Sequence, residues 1–225
     1  MENFKNRYKA IIFDMDGTIV DTERVWQNIT LEVLRYYNVQ ESEETLLRFA
    51  VGLAGVCTDN AVHAIKETFN VEHSHEDIKQ YKLACAERHL SVQLPFITGF
   101  ESFHNILQKH QIPSSIATNA RPENLKKIDS IVGLSSFFGN NMFCIADVGY
   151  KAKPDPALFL HAAEKLGASP DQCIVFEDSM PGFQAAKAAG MKCIAIKNTA
   201  NTHLLDQVHA AIESYHDAEE ILKKI

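Results

Sequence analysis

Short apolar runs recur along this chain, each closed by a polar or acidic residue and followed by a stretch of helical periodicity. Residues 9–14 (KAIIFD), 114–118 (SSIAT), 142–146 (MFCIA), 173–177 (CIVFE) and 192–196 (KCIAI) read as buried strands, with a weaker candidate at 209–212. Apolar runs this short, without polar alternation, suit strands covered on both faces. Between them lie amphipathic helices. Residues 100–110 carry Phe100, Phe103, Ile106, Leu107 and His110 along one stripe, and 156–166 carry Leu158, Phe159, Ala162, Ala163 and Leu166. Asp155 is placed to cap the second of these, Pro156 suits its first turn, and Gly167 can end it. Strand and helix alternating at this spacing predict an α/β fold, a doubly wound parallel sheet with helices on both faces.

The stretch from about 22 to 93 breaks that alternation, because helical periodicity runs almost throughout. Val25, Ile29, Val33 and Tyr37 form one stripe, Val62, Ile65 and Phe69 a second, and Ile78, Tyr81, Cys85 and Val92 a third. Ser74 with Asp77 three residues on marks the start of the last helix. GLAGVC (52–57), with its two glycines, reads as a loop. The expectation is therefore an all-helical domain, residues 21–93, inserted into an α/β core made of residues 1–20 and 94–225. The joints fall near 19–22 and 92–97, the second marked by Pro95.

Composition narrows the functional classes. The 225 residues include 29 acidic and 22 basic side chains, for a formal charge of −7. That balance lacks the basic footprint that nucleic acid requires, so no nucleic-acid partner is expected. No apolar run approaches bilayer length and the mean hydropathy is −0.15, so no membrane association is expected either. The N-terminal MENFKNRYKAII has no signal-peptide-like apolar segment, which predicts a cytoplasmic protein. The five cysteines form no CxxC pair and sit among apolar neighbours, as reduced core thiols do.

In an open parallel sheet, ligands gather beyond the carboxyl ends of the strands. The first strand is followed by Asp14, Asp16, Gly17 and Thr18, and the second ends in Thr118 and Asn119. The third leads to Lys151 and Lys153, and the fourth to Glu177, Asp178 and Ser179. Several carboxylates on one rim repel one another unless a cation sits among them. Oxygen-only ligands in a site open to substrate suit Mg²⁺, and a lysine matches a phosphate oxygen. An aspartate can attack phosphorus, and a second acid nearby can protonate the leaving oxygen and then activate water.

FDMDGT (13–18), IATN (116–119), KPDP (153–156) and FEDS (176–179) resemble the four ordered motifs of the haloacid dehalogenase superfamily. The likeness is to its branch of phosphatases and β-phosphoglucomutase-like enzymes, which carry a helical cap between the first and second motifs. It spans residues 9–197. The resemblance implies a Rossmann-like core with an inserted helical cap domain, and a Mg²⁺-dependent phosphatase acting through an aspartyl-phosphate. The partner would be a small phosphorylated metabolite, such as a sugar phosphate, phosphoglycolate or a nucleotide-like compound, and the protein a monomer or weak homo-oligomer. By the same resemblance Asp14 is the nucleophile and a metal ligand. Asp16 is the general acid/base, its main-chain carbonyl also on the metal. Thr118, the Asn119 amide and Lys153 hold the phosphoryl group. Asp178 completes the metal site, and Glu177 joins it directly or through water. Lys153 is preferred to Lys151 because it directly precedes the Pro-x-Pro turn.

Two departures refine the expectation. Dehalogenases and phosphonate hydrolases of the family lack the second aspartate of the first motif, which here is Asp16. Mutases usually carry a histidine after that motif and an arginine in the cap loop; here Trp26 and Thr58 take those places. The phosphatase is thus favoured over a phosphoryl-transferring mutase, and both over a non-catalytic sensor of a phosphorylated ligand. Each motif also has a plain structural reading. Asp14–Gly17 could be a turn, Thr118–Asn119 a helix cap, Lys153 a surface lysine and Glu177–Ser179 a helix start.

Overall fold

A computed structural model describes residues 7–90 and 93–225. Six parallel strands form one sheet: β1 (Ala10–Phe13), β2 (Ser114–Thr118), β3 (Met142–Cys144), β4 (Cys173–Glu177), β5 (Lys192–Ile196) and β6 (Ala210–Ile212). Their order in space is β3-β2-β1-β4-β5-β6. The chain winds outward from β1 to β3 and then returns to lay β4 on the other side of β1. The switch point between β1 and β4 is where this topology opens a crevice at the carboxyl ends.

Strand residues alternate between two cores because successive side chains point to opposite faces. Ile11, Phe13, Ile174 and Phe176 enter one core, Ala10, Ile12, Cys173 and Val175 the other. Phe13 stacks on Phe176 with ring centroids 5.2 Å apart and meets Phe100 edge-on at 5.8 Å. Tyr215 joins the same aromatic group at 6.0 Å from Phe13, and its hydroxyl donates to the Thr18 carbonyl at 3.1 Å. This aromatic block lies directly under the turn that follows β1. All five cysteines are buried and free.

Four helices follow β1: α1 (Glu23–Tyr36), α2 (Glu43–Gly52), α3 (Thr58–Phe69) and α4 (His75–His89). Helix α1 packs on α2 and α4, and α4 also packs on α3. Val62, Ile65, Ile78 and Cys85 are buried as the periodicity predicts, while Tyr37, Phe69 and Tyr81 are half-buried. Ser74 caps α4 by accepting from the Asp77 N–H at 3.1 Å. Val92, expected at the end of that stripe and the start of the second joint, lies outside the described residues. The chain leaves and re-enters the sheet region side by side. Val20 pairs antiparallel with Phe96, Asp21 N–H donates to the Pro95 carbonyl at 2.9 Å, and Ile97 N–H to the Ile19 carbonyl at 2.8 Å.

The remaining helices are α5 (Phe100–Lys109), α6 (Pro122–Val132), a single turn α7 (Ser135–Phe138), α8 (Ala157–Lys165), α9 (Met180–Ala188) and α10 (Ala218–Lys224). In α8 the cap residue is Pro156; Asp155 contributes from one position earlier, accepting from the Ala157 N–H at 2.9 Å. No helix among the described residues is long and apolar enough to cross a membrane.

Helix α5 differs from its predicted stripe in one respect. His104 is buried, whereas Ile106 and His110 are only half-buried. His104 Nε2 lies 3.1 Å from Ser114 Oγ, and burial pulls the imidazole down to about 4. A histidine depressed in the folded state costs stability where only the unfolded chain takes up its proton. That cost grows as pH falls from the ordinary histidine range toward 4. The fall in melting temperature between pH 7 and pH 4.5 is therefore expected to be smaller in His104→Leu than in the parent. Equal falls would show that this histidine does not set the acid limb.

Candidate active site

The turn after β1 is fixed by its backbone before any side chain is considered. Asp14 N–H donates to the Phe176 carbonyl at 2.9 Å and Gly17 N–H to that of Val20 at 2.8 Å. Gly17 has φ +75°, and a Cβ there would fall 2.1 Å from Asp178 Oδ2. Only glycine allows both the left-handed backbone and this approach of β1's turn to β4's.

At the switch point Lys153 Nζ lies 2.5 Å from Asp14 Oδ1 and 2.9 Å from Glu177 Oε1. Lys153 is 2% exposed, while Lys151 is on the surface. The surface-lysine reading of Lys153 is therefore excluded. Burial works against the ammonium charge, but Asp14 and Glu177 outweigh it and hold the lysine above its ordinary range. Burial likewise pushes Asp14 up to about 8 in spite of Lys153, with Glu177 and Asp16 adding to the rise. Asp178 is raised for the same reasons, burial first and then the charge of Glu177. One buried ammonium thus faces four neighbouring carboxyl groups, too little positive charge for all of them to ionise.

Carboxylate oxygens of Asp14, Glu177 and Asp178 lie within 4.8 Å of one another. Asp178 is oriented by Asn198, whose Nδ2 donates to Oδ2 at 3.0 Å, and by the Thr18 hydroxyl at 3.4 Å from Oδ1. Glu177 is more heavily committed. Its Oε2 accepts from the Asp178 and Ser179 N–H groups and the Ser179 hydroxyl, at 2.8, 2.7 and 2.9 Å, while Oε1 accepts from Lys153. The helix-start reading of this segment is also correct in part, since Ser179 Oγ caps α9 through the Gly182 N–H.

Thr118, 1% exposed, ends β2 beside these groups and accepts from the Ala120 N–H at 3.0 Å, which leaves its own hydroxyl proton to donate. The helix expected to start at Thr118–Asn119 begins instead at Pro122, because proline fixes the first helical turn there. The Asn119 side chain is taken up as a strut. Its Oδ1 accepts from the Lys153 N–H at 2.8 Å and its Nδ2 donates to the Gly55 carbonyl at 2.9 Å. Gly55, at φ +71°, sits so close to the sheet region that a Cβ would meet Ser179 Oγ at 2.2 Å. The loop 53–57 is thereby pressed onto the carboxyl-end rim.

Between rim and helical block lies a cleft lined by Asp14, Asp16, Thr118 and Asp178 below and by Trp26, Thr58 and Lys82 above. Asp16 Oδ1 accepts from Thr22 Oγ1 at 2.7 Å and from Trp26 Nε1 at 2.6 Å. Burial raises Asp16, and these two hydrogen bonds oppose the rise. All seven predicted site residues thus converge on one rim. Sequence reasoning missed Thr22, Asn198 and Lys82 as neighbours of the site and left Trp26 without a role. Asn198 follows β5, so asking what lies beyond that strand as well would have found it. Trp26 is marked by its place, where mutases carry a histidine after the first motif, but packing within the helical block is an equal reading; Lys82 carries no signal in the sequence.

Known proteins resemble this chain in sequence and in fold. Residues 11–196 match the family described as haloacid dehalogenase-like hydrolase. The fructose-1-phosphate phosphatase YqaB of Escherichia coli (strain K12) is 31% identical over 85% of this chain and 97% of its own length. A family IA, variant 3 hydrolase of the same class from Entamoeba histolytica superposes with a TM-score of 0.81 at 26% identity, covering 96% of this chain and 100% of that one. The β-phosphoglucomutase of Clostridium difficile shares the fold, with a TM-score of 0.77 at 21% identity over 96% and 97% of the two chains. The chain belongs to the haloacid dehalogenase-like hydrolases. Within them it is an enzyme of the phosphatase branch.

Proposed function

We propose that this enzyme is a Mg²⁺-dependent phosphatase of small phosphorylated metabolites, and that it works through a phosphoryl group carried on Asp14. The observation that carries the reading is the ammonium of Lys153 shared between Asp14 and Glu177, with Asp178 beside them. Lys153 favours the carboxylate of Asp14 against the opposing effect of burial, and in that ionised form Asp14 Oδ1 attacks phosphorus. Asp16 protonates the departing alcohol and afterwards takes the proton of the attacking water. The Thr118 hydroxyl, the main-chain N–H of Asn119 and Lys153 hold the phosphoryl oxygens; the Asn119 side chain is already engaged with Gly55 and Lys153.

The all-oxygen donor set and the deficit of positive charge fit a hard divalent cation. Asp14, Asp178 and the Asp16 carbonyl would hold it, with Glu177 in the same acidic group while its Oε1 keeps Lys153. Bound there, Mg²⁺ supplies positive charge to the phosphoryl oxygens. Residues 21–93 serve as a cap domain over the core of residues 1–20 and 94–225, hinged where Val20 pairs with Phe96. A closed cap excludes bulk water from the cleft.

The cleft is lined by polar groups on the rim and by side chains of the helical block above it, a mixed lining that suits a sugar phosphate. That substrate class is supported by the printed activity of the Escherichia coli relative. No arginine or histidine among the described residues lines the cleft, which favours hydrolysis over a mutase's handling of a second phosphate.

Phosphate release from a panel of sugar and other metabolite phosphates is expected with Mg²⁺, to be lost in EDTA, and to be abolished in Asp14→Asn with circular dichroism unchanged. Substantial activity in Asp14→Asn would remove the nucleophile from the account. A second expectation concerns pH. Because burial holds the folded Asp14 near 8, above its unfolded value, this group's contribution to metal-free stability is present below about pH 4 and lost as pH rises toward 8. A cation that binds the ionised form offsets that loss. The rise in melting temperature on adding Mg²⁺ should therefore be larger at pH 8 than at pH 5.5, and an equal or smaller rise at pH 8 contradicts the charge argument.

A further inference from the structure

We infer that Trp26 is a positioning residue for Asp16: its indole N–H fixes the carboxylate of the proposed acid/base so that one oxygen is left for the substrate. The inference rests on the phosphatase reading above. Trp26 lies on the first turn of α1, four residues after Thr22, so both side chains fall on one face of the chain as it enters the helical block. Both donate to the same atom, Asp16 Oδ1, at 2.6 and 2.7 Å. Among the described residues Oδ2 accepts no comparable hydrogen bond. Thr22 is fully buried and Trp26 half-buried, and both line the cleft.

Indole nitrogen can only donate, so the oxygen it meets is held as an acceptor. Two donors converging on Oδ1 remove the freedom of the carboxyl to flip or to turn away, and Oδ2 becomes the oxygen that reaches the leaving group and later the water. A proton donor acts efficiently only when held within hydrogen-bond reach of the atom it serves. The ring itself is supported from the helical block, where the Lys82 ammonium sits over its face at 5.7 Å from the centroid. Lys82 is 5% exposed and lies on α4, so Trp26 joins two helices of the block to the reacting carboxyl below.

The arrangement predicts a signature that a merely space-filling tryptophan would not give. Expelling an alkoxide needs the proton from Asp16, whereas p-nitrophenolate leaves with little help. In Trp26→Phe, which keeps a ring and loses the N–H, kcat/KM for an alkyl phosphate such as fructose 1-phosphate should fall on the order of 10-fold. For p-nitrophenyl phosphate the fall should be markedly smaller. Trp26→His, which restores an N–H donor, should recover most of the alkyl-phosphate activity. Equal losses on both substrates in Trp26→Phe, or no recovery in Trp26→His, would overturn the assignment.

A readout independent of turnover comes from Trp26 being the single tryptophan of the chain. Removing its acceptor in Asp16→Ala should shift the emission maximum or intensity of the folded protein, with circular dichroism unchanged. An unchanged spectrum would show that the hydrogen bond is not made in solution. A parent enzyme that releases no phosphate from either compound, but whose emission responds to Asp16→Ala, would retain the contact and remove the phosphatase reading instead.

Discussion

The structure depends on one buried ammonium. Lys153 is enclosed at the switch point of the sheet, with Asp14 on one side and Glu177 on the other. A lysine is seldom buried so fully unless its charge is paired. Everything around it follows from that constraint. β1 and β4 must be neighbours so that the acids after each strand reach the same cation. Glu177 must be saturated by the Asp178 and Ser179 N–H groups so that it keeps a fixed position. The chain between β3 and α8 must carry Lys153 back over the rim, where Asn119 holds its backbone.

The same constraint explains why the site is chemically poised rather than simply stable. A single positive charge among Asp14, Asp16, Glu177 and Asp178 leaves the acids raised by burial and mutual repulsion. Such a cluster is costly to fold, and the aromatic block of Phe13, Phe100, Phe176 and Tyr215 beneath it supplies apolar burial close by. In the proposed reaction a divalent cation and a phosphoryl dianion would complete the charge balance in opposite senses, as phosphoryl transfer requires.

How much of this was legible in the sequence differs by level. The alternation of apolar runs with amphipathic stretches carries the sheet and its helices, because a strand buried on both faces has no polar positions to blur it. The site residues are legible as a set because four strands deliver polar groups to one edge; none of those groups is diagnostic alone. What escaped was set by tertiary proximity. His104 lies outside the α5 stripe read from the sequence yet is buried where Ile106 is not, and Ser114 of β2 lies within hydrogen-bond reach of its imidazole. Trp26 is marked only by its distance from the first motif and Lys82 looks like an ordinary member of a helix; the seating of α1 and α4 over the rim turns both toward the cleft. The Asn119 side chain is consumed by Gly55 and the Lys153 backbone, contacts between segments far apart in sequence that no local pattern encodes.

The central claim is that Asp14, held by Lys153, attacks phosphorus before water does. The direct test is the stereochemical course at phosphorus, followed with a phosphomonoester made chiral by oxygen isotopes. Two successive in-line displacements, first by Asp14 and then by water, give net retention of configuration. Inversion would mean that water attacks the substrate directly, and Asp14 would then have no nucleophilic role.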